Sequence, residues 1–146
     1  MKKFARKLFL AAILSSFVLT GYSQCKGFTR KNCVPNLDPY IYNGQVNSTI
    51  LNEGDIAELM LTFYANQDYR IFVCAEENLS DLQFKLMDRD RNVIFNNKDH
   101  DFIQYWDFSS KATQQLIVEV IVPETDSKNP EIESGCVSIL VGFMDQ

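Results

Sequence analysis

The stretch "LQFKLMDRDRNVIF", residues 82–95, decides how the chain is read. Leu82, Phe84 and Leu86 alternate with other residues, which puts them on one face of an extended chain. A second apolar run follows at "NVIFN", residues 92–96. Between the two runs, Asp88, Asp90 and Asn92 have a spacing that opens some calcium loops. The same residues also make a tight turn between two strands. A calcium loop of the helix-loop-helix type starting at Asp88 needs Gly at its sixth place and a bidentate Glu at its twelfth. Val93 and Asp99 stand there instead, and residues 93–95 read as strand. The stretch is therefore a hairpin turn. A weaker surface calcium site at Asp99 or Asp101 remains open, but no metal or cofactor is expected.

Working outward, the same alternation recurs. "ELMLTFY" (58–64) places Leu59, Leu61 and Phe63 together, and "YRIFVCA" (69–75) does so with Tyr69, Ile71 and Val73. "FIQYWDF" (102–108) puts Phe102, Trp106 and Phe108 on one face and Ile103 with Tyr105 on the other. "QLIVEVIV" (115–122) is almost continuously apolar, as in a central strand covered on both sides. "CVSILVGF" (136–143) aligns Val137, Ile139, Val141 and Phe143. Short runs at about 10-residue spacing, separated by turn residues, predict an antiparallel, jelly-roll-like β-sandwich of about eight strands. Helices are disfavoured because the runs are short, rich in β-branched and aromatic residues, and lack N-caps.

The N-terminal residues 1–23 read as a cleaved secretory signal. Lys2, Lys3, Arg6 and Lys7 precede an apolar core, and Gly21 and Ser23 are small residues before the expected cut. Tyr22 and Gln24, three and one places before Cys25, argue against lipidation there. The leader takes four of the 14 basic residues and none of the 19 acidic ones, so the remainder carries ten against 19, a net −9. Such acidity disfavours nucleic acid and anionic lipid as partners. No membrane insertion is expected after cleavage. Residues 24–51 are turn-rich and predict an arm with a short strand at residues 40–42. Residues 52–146 form the sandwich domain.

Four cysteines, Cys25, Cys33, Cys74 and Cys136, predict two disulfides in an exported chain. If the strands carrying Cys74 and Cys136 are antiparallel neighbours, these two can face each other. Val73 then pairs with Val137, Ile71 with Ile139 and Tyr69 with Val141, which gives one wholly apolar or aromatic face. Cys25 then pairs with Cys33, stapling the arm. Four half-cystines leave no thiolate for nucleophilic chemistry.

From Tyr69 onward, Asp81, Leu82, Phe84, Asp88 and Val93 form a pattern that resembles the bacterial pre-peptidase C-terminal domain. The closing "GCVSILVGF" (135–143) fits as well, and the likeness spans roughly residues 52–144. It departs at Arg91, where the family usually has Gly; Asn92 is expected to take the left-handed backbone instead. The resemblance implies a non-catalytic accessory or binding module.

Function is read accordingly. Tyr40, Tyr42 and Tyr105 are the candidate ligand-contact aromatics, since exposed aromatics anchor proteins and sugars. The expectation is a non-catalytic binding module of the cell envelope, periplasmic or extracellular, contacting a protein or a glycan. One alternative is a small hydrolase using carboxylates, or His100 with Ser109, Ser110 or Ser138. No Gly-x-Ser-x-Gly elbow supports it. Another is a structural subunit of an envelope assembly.

Overall fold

The computed structural model describes residues 21–79, 81–125 and 133–145. Most of the expected leader, residues 1–20, lies outside them. After helix α1 (Gly21–Phe28) come a wide helical turn (Thr29–Cys33) and a 3-10 turn (Val34–Leu37). Among the described residues nine strands follow: β1 (Ile41–Tyr42), β2 (Asn47–Asn52), β3 (Ile56–Phe63), β4 (Gln67–Ala75), β5 (Gln83–Met87), β6 (Val93–Asn96), β7 (Tyr105–Ser110), β8 (Gln114–Ile121) and β9 (Ser134–Phe143). One sheet runs β1-β9-β4-β7, with β2 also on β9; the other runs β3-β8-β5-β6. All pairings are antiparallel. The protein is an all-β antiparallel sandwich, as the alternation predicts.

The inner faces interdigitate in one core. Ile71, Val73, Val137, Ile139 and Val141 from the first sheet meet Leu61, Phe63, Phe84, Leu86, Val118 and Val120 from the second. Each such side chain contributes roughly 1.5–3 kcal/mol when fully buried. Phe63 packs edge-on against Tyr69 and Phe108, with centroids 5.0 and 5.1 Å away. Buried Asn97 closes one end: its Oδ1 accepts the Phe84 N–H, and its Nδ2 donates to the Leu82 and Ile103 carbonyls.

The hairpin at residues 82–95 is present. Among the described residues, β5 and β6 are the only strands consecutive in sequence that pair with each other. Asp88 holds the turn: Oδ1 accepts the N–H groups of Asp90 and Asn92, and Oδ2 accepts the Asn92 side-chain amide. These bonds, led by the Asn92 side chain, lower the Asp88 pKa below its ordinary value. One expectation is corrected here. Arg91, not Asn92, takes the left-handed backbone, with φ 66°. Its N–H donates to the Asp88 carbonyl, and its guanidinium reaches Glu58.

Two further corrections concern the strands. Phe102 does not share a face with Trp106 and Phe108, because Asp101 and Phe102 both adopt left-handed backbone before β7 begins. Ile103 packs against the core instead. β8 is central, but among the described residues no separate layer covers its outer face. Ile117 is buried there while Glu119 and Ile121 are half-buried.

The expected arm is also revised. Residues 41–52 supply β1 and β2, both paired to β9. Residues 25–37 form a helical layer on the outside of the first sheet, and two disulfides fix it there. These join Cys25 to Cys136 and Cys33 to Cys74, not Cys25 to Cys33 and Cys74 to Cys136. β4 and β9 are neighbours as expected, but Cys74 lies opposite Ser138. Val73 pairs with Ile139, Ile71 with Val141 and Tyr69 with Phe143. The register differs by two residues, which leaves every side chain on its expected face. Between the disulfides, the buried Thr29 and Ser138 hydroxyls share a hydrogen bond of 2.7 Å. Leu37, Phe72 and Leu140 fill the space around them.

Candidate functional site

Beyond the edge of the helical layer, the outer face of the first sheet carries an aromatic and charged ridge. Its centre is Arg70 on β4. Asp107 on β7 lies directly opposite. Arg70 Nε and Nη2 reach the two Asp107 carboxylate oxygens, each at 2.7 Å. Nη1 donates to the Asp38 carbonyl at 3.2 Å. The guanidinium lies 4.6 Å from the Tyr40 ring centroid and 4.4 Å from that of Tyr105. Planar guanidinium suits both partners, because it stacks on rings and forks onto a carboxylate at once.

The sequence builds this ridge in three ways. Alternation points Arg70 outward, since Tyr69 and Ile71 point into the core. Tyr105 sits opposite Phe72 and so lies diagonally beside Arg70. Gly142 on the other side of Arg70 leaves room for Tyr40: a Cβ at position 142 would lie 2.7 Å from the Tyr40 Cβ. Burial raises the Tyr40 phenol above its ordinary value, Asp107 adds to this, and Arg70 opposes it. The Asp107 hydrogen bonds raise the Arg70 pKa against the opposing effect of burial. Arg70 is therefore firmly charged and mostly shielded, with 14% of its side chain exposed against 36% for Asp107. Tyr105 stands 39% exposed.

Of the three candidate aromatics, Tyr40 and Tyr105 meet through Arg70. Tyr42 does not join them. It packs beside Leu37, Phe72 and Leu140, and its hydroxyl donates to the Gln45 carbonyl at 2.6 Å. Burial raises the Tyr42 pKa, with Arg30 opposing. Arg70 and Asp107 escaped the sequence reading. A lone arginine in the apolar run "YRIFVCA" and a lone aspartate in "YWDF" were the available signal, but only the strand register shows that they pair.

The residues considered for catalysis do not converge. The His100 ring stacks on Phe95 with centroids 5.0 Å apart, near Trp106. Ser109 Oγ donates to the Asp68 carboxylate, Ser110 Oγ to the Ala112 carbonyl, and Ser138 Oγ bonds with Thr29. Asp99 lies in a 3-10 turn (Asn97–His100), which Asp101 ends in left-handed backbone. Among the described residues, no three of His, Cys, Asp and Glu gather as metal ligands. No described helix is long and apolar enough to cross a membrane.

Fold and site together define a disulfide-braced antiparallel β-sandwich with an aromatic-arginine ridge on one outer face. No protein-family model matches the sequence, and no curated protein sequence matches it. Among solved structures, the chain is similar to PliG of Aeromonas hydrophila, a periplasmic lysozyme inhibitor of g-type lysozyme. The identity is 14% and the TM-score 0.49, covering 73% of this chain and 89% of that one.

Proposed function

We propose that the protein is an exported, non-catalytic binding module that meets a protein partner through the Tyr40–Arg70–Tyr105 ridge. The observation that carries this reading is the stacking of Arg70 between two tyrosine rings while Asp107 grips its edge. Tyrosine and arginine are the side chains that most often anchor protein interfaces. Their immobilisation before binding lowers the entropy cost of association. Two disulfides support folding in an oxidising compartment, periplasmic or extracellular. The net charge of −9 on residues 24–146 favours a basic partner surface, as does Asp68 on this face. The resemblance to a pre-peptidase C-terminal domain belongs to the same proposal, supported by the sandwich and the turn at residues 88–92.

The test is affinity capture from the envelope of the source cell, followed by binding measurements with the purified partner. Tyr105→Ala is expected to weaken binding about tenfold or more, as for an interface anchor. Equal affinity for the variant would remove the ridge from the interface.

A second reading, a structural subunit of an envelope assembly, has one observation in its favour. The second sheet exposes Ile56, Met60, Val93 and Ile94, each more than half accessible. Sedimentation over a range of concentrations distinguishes the two: a mass rising above that of one chain favours the subunit, and a constant monomer mass removes it.

A further inference from the structure

A cleft of about 630 Å3 opens at the end of the sandwich opposite the disulfides. Its size is within the range of small-ligand sites. Two tight loops wall it, one within the first sheet and one crossing from the second sheet to the first. On one side are residues 43–46 between β1 and β2. Here Asn43 N–H donates to the Val141 carbonyl, Gln45 N–H to Asn43 Oδ1, and the Tyr42 hydroxyl to the Gln45 carbonyl. On the other side are residues 64–66 between β3 and β4. Asn66 N–H is held by the Ser110 carbonyl, and Ala65 N–H by Thr113 Oγ1. Phe63 and Tyr69, locked edge to face, contribute to the lining between them.

The chemistry of the lining is selective. Its twelve residues include no Asp, Glu, Lys, Arg or His, although 23% of the chain is charged and about three would fall there by chance. An ionic ligand finds no counter-charge in such a site. What it offers is neutral donors and acceptors. Tyr69 Oη accepts the Tyr64 N–H at 3.0 Å and keeps its own proton for a ligand. Gln67 Nε2 donates to the Met144 carbonyl, which leaves Oε1 to accept. Asn43 uses Oδ1 within its loop, which leaves its amide N–H groups to donate. At the rim the Tyr64 ring is 65% exposed, a flat apolar surface beside these polar groups. A pyranose ring matches this arrangement, because it has an apolar face and hydroxyls that both donate and accept.

We infer that this cleft binds a neutral oligosaccharide, with Tyr64 stacking on a sugar ring and Asn43, Gln45, Gln67 and Tyr69 hydrogen-bonding its hydroxyls. The site is separate from the Tyr40–Arg70–Tyr105 ridge.

Backbone amide shifts of 15N-labelled protein test this against chitotetraose, cellotetraose, anionic tetragalacturonate and a neutral Gly-Ser decapeptide. A neutral tetrasaccharide is expected to give saturable shifts confined to residues 43–46 and 62–69. Tyr64→Ala is expected to weaken binding about tenfold, while Tyr105→Ala leaves it unchanged. The Tyr64 side chain is exposed and its N–H bond to Tyr69 is a backbone contact, so this variant keeps the fold; its dispersed spectrum verifies that. Three results would overturn the inference: no shifts with either neutral sugar, equal shifts from the decapeptide or tetragalacturonate, or full affinity in Tyr64→Ala.

Discussion

The two sheets bury their inner faces against each other in the same way but treat their outer faces differently. The first sheet carries a helical layer, two disulfides and the Thr29–Ser138 hydrogen bond, with the Tyr40–Arg70–Tyr105 ridge beside them. Among the described residues the second sheet has no such cover, and charge manages its face. Glu58 and Glu119 lie directly opposite each other, which by itself is unfavourable. Lys85 pairs with Glu119 at 2.8 Å and Arg91 pairs with Glu58, so the row becomes neutral. Covalent and apolar cover fixes side chains in place; exposed ion pairs are weak and screened by salt. The proposed recognition ridge lies on the first face, where neighbours over-determine each position.

Removing the Cys33–Cys74 bond with the paired serine variant is the largest test of this contrast. The 41-residue separation corresponds to about 4 kcal/mol in the chain-entropy account. Urea unfolding should show a loss of that order, with faster amide exchange through residues 25–37. A loss under about 1 kcal/mol would mean that the helical layer holds without its staple.

Gly142→Ala is a smaller intrusion. The new Cβ collides with the Tyr40 Cβ, a short atom with little freedom to yield. Overpacking of this kind costs about 1–3 kcal/mol. The aromatic resonances of Tyr40 and Tyr105 should shift as the stack on Arg70 opens. Unchanged resonances would show that Tyr40 is not seated by the glycine.

On the second face the effect is one of pH, and it is the smallest. The Arg91 hydrogen bond lowers the Glu58 pKa below its ordinary 4.5, and the Asn92 bonds lower Asp88 below 3.8. A carboxylate with a depressed folded pKa contributes stability above its unfolded pKa and loses it as pH falls through the folded one. Acidification below those ordinary values should therefore loosen the 88–92 turn and free Arg91. Carboxyl NMR titration reads this directly. Arg91→Ala should raise the Glu58 pKa, and an unmoved Glu58 would break the assignment.

The sandwich was largely legible because alternation reports which way each side chain points. Leu59, Leu61, Phe63, Tyr69, Ile71, Val73, Phe84 and Leu86 all face inward as their spacing demands. Alternation is blind to shifts of two, and that is the error made between β4 and β9. The disulfides misled for a related reason. Cys74 and Cys136 sit on neighbouring strands, but both point outward, where a helical segment with no clear periodicity supplies their partners. β2, "NSTILN", was missed because its exposed residues give little hydrophobic signal. The ridge was half visible. Two of its tyrosines stood out as aromatics, whereas Arg70 and Asp107 gain meaning only once β4 and β7 are paired in register.

The disulfide connectivity also has a consequence for how the chain matures. The bonds are nested: the first cysteine joins the last, and the two middle ones join each other. In the proposed export from the N-terminus, Cys25 and Cys33 would enter an oxidising compartment first, and they lie eight residues apart. Closing so short a loop is entropically easier than waiting for distant partners. An oxidant acting in order of arrival thus makes the wrong bond first. Reaching the nested pattern from there takes thiol-disulfide exchange, so the proposed export predicts that the yield of native protein rises with an isomerase as well as an oxidase in the compartment.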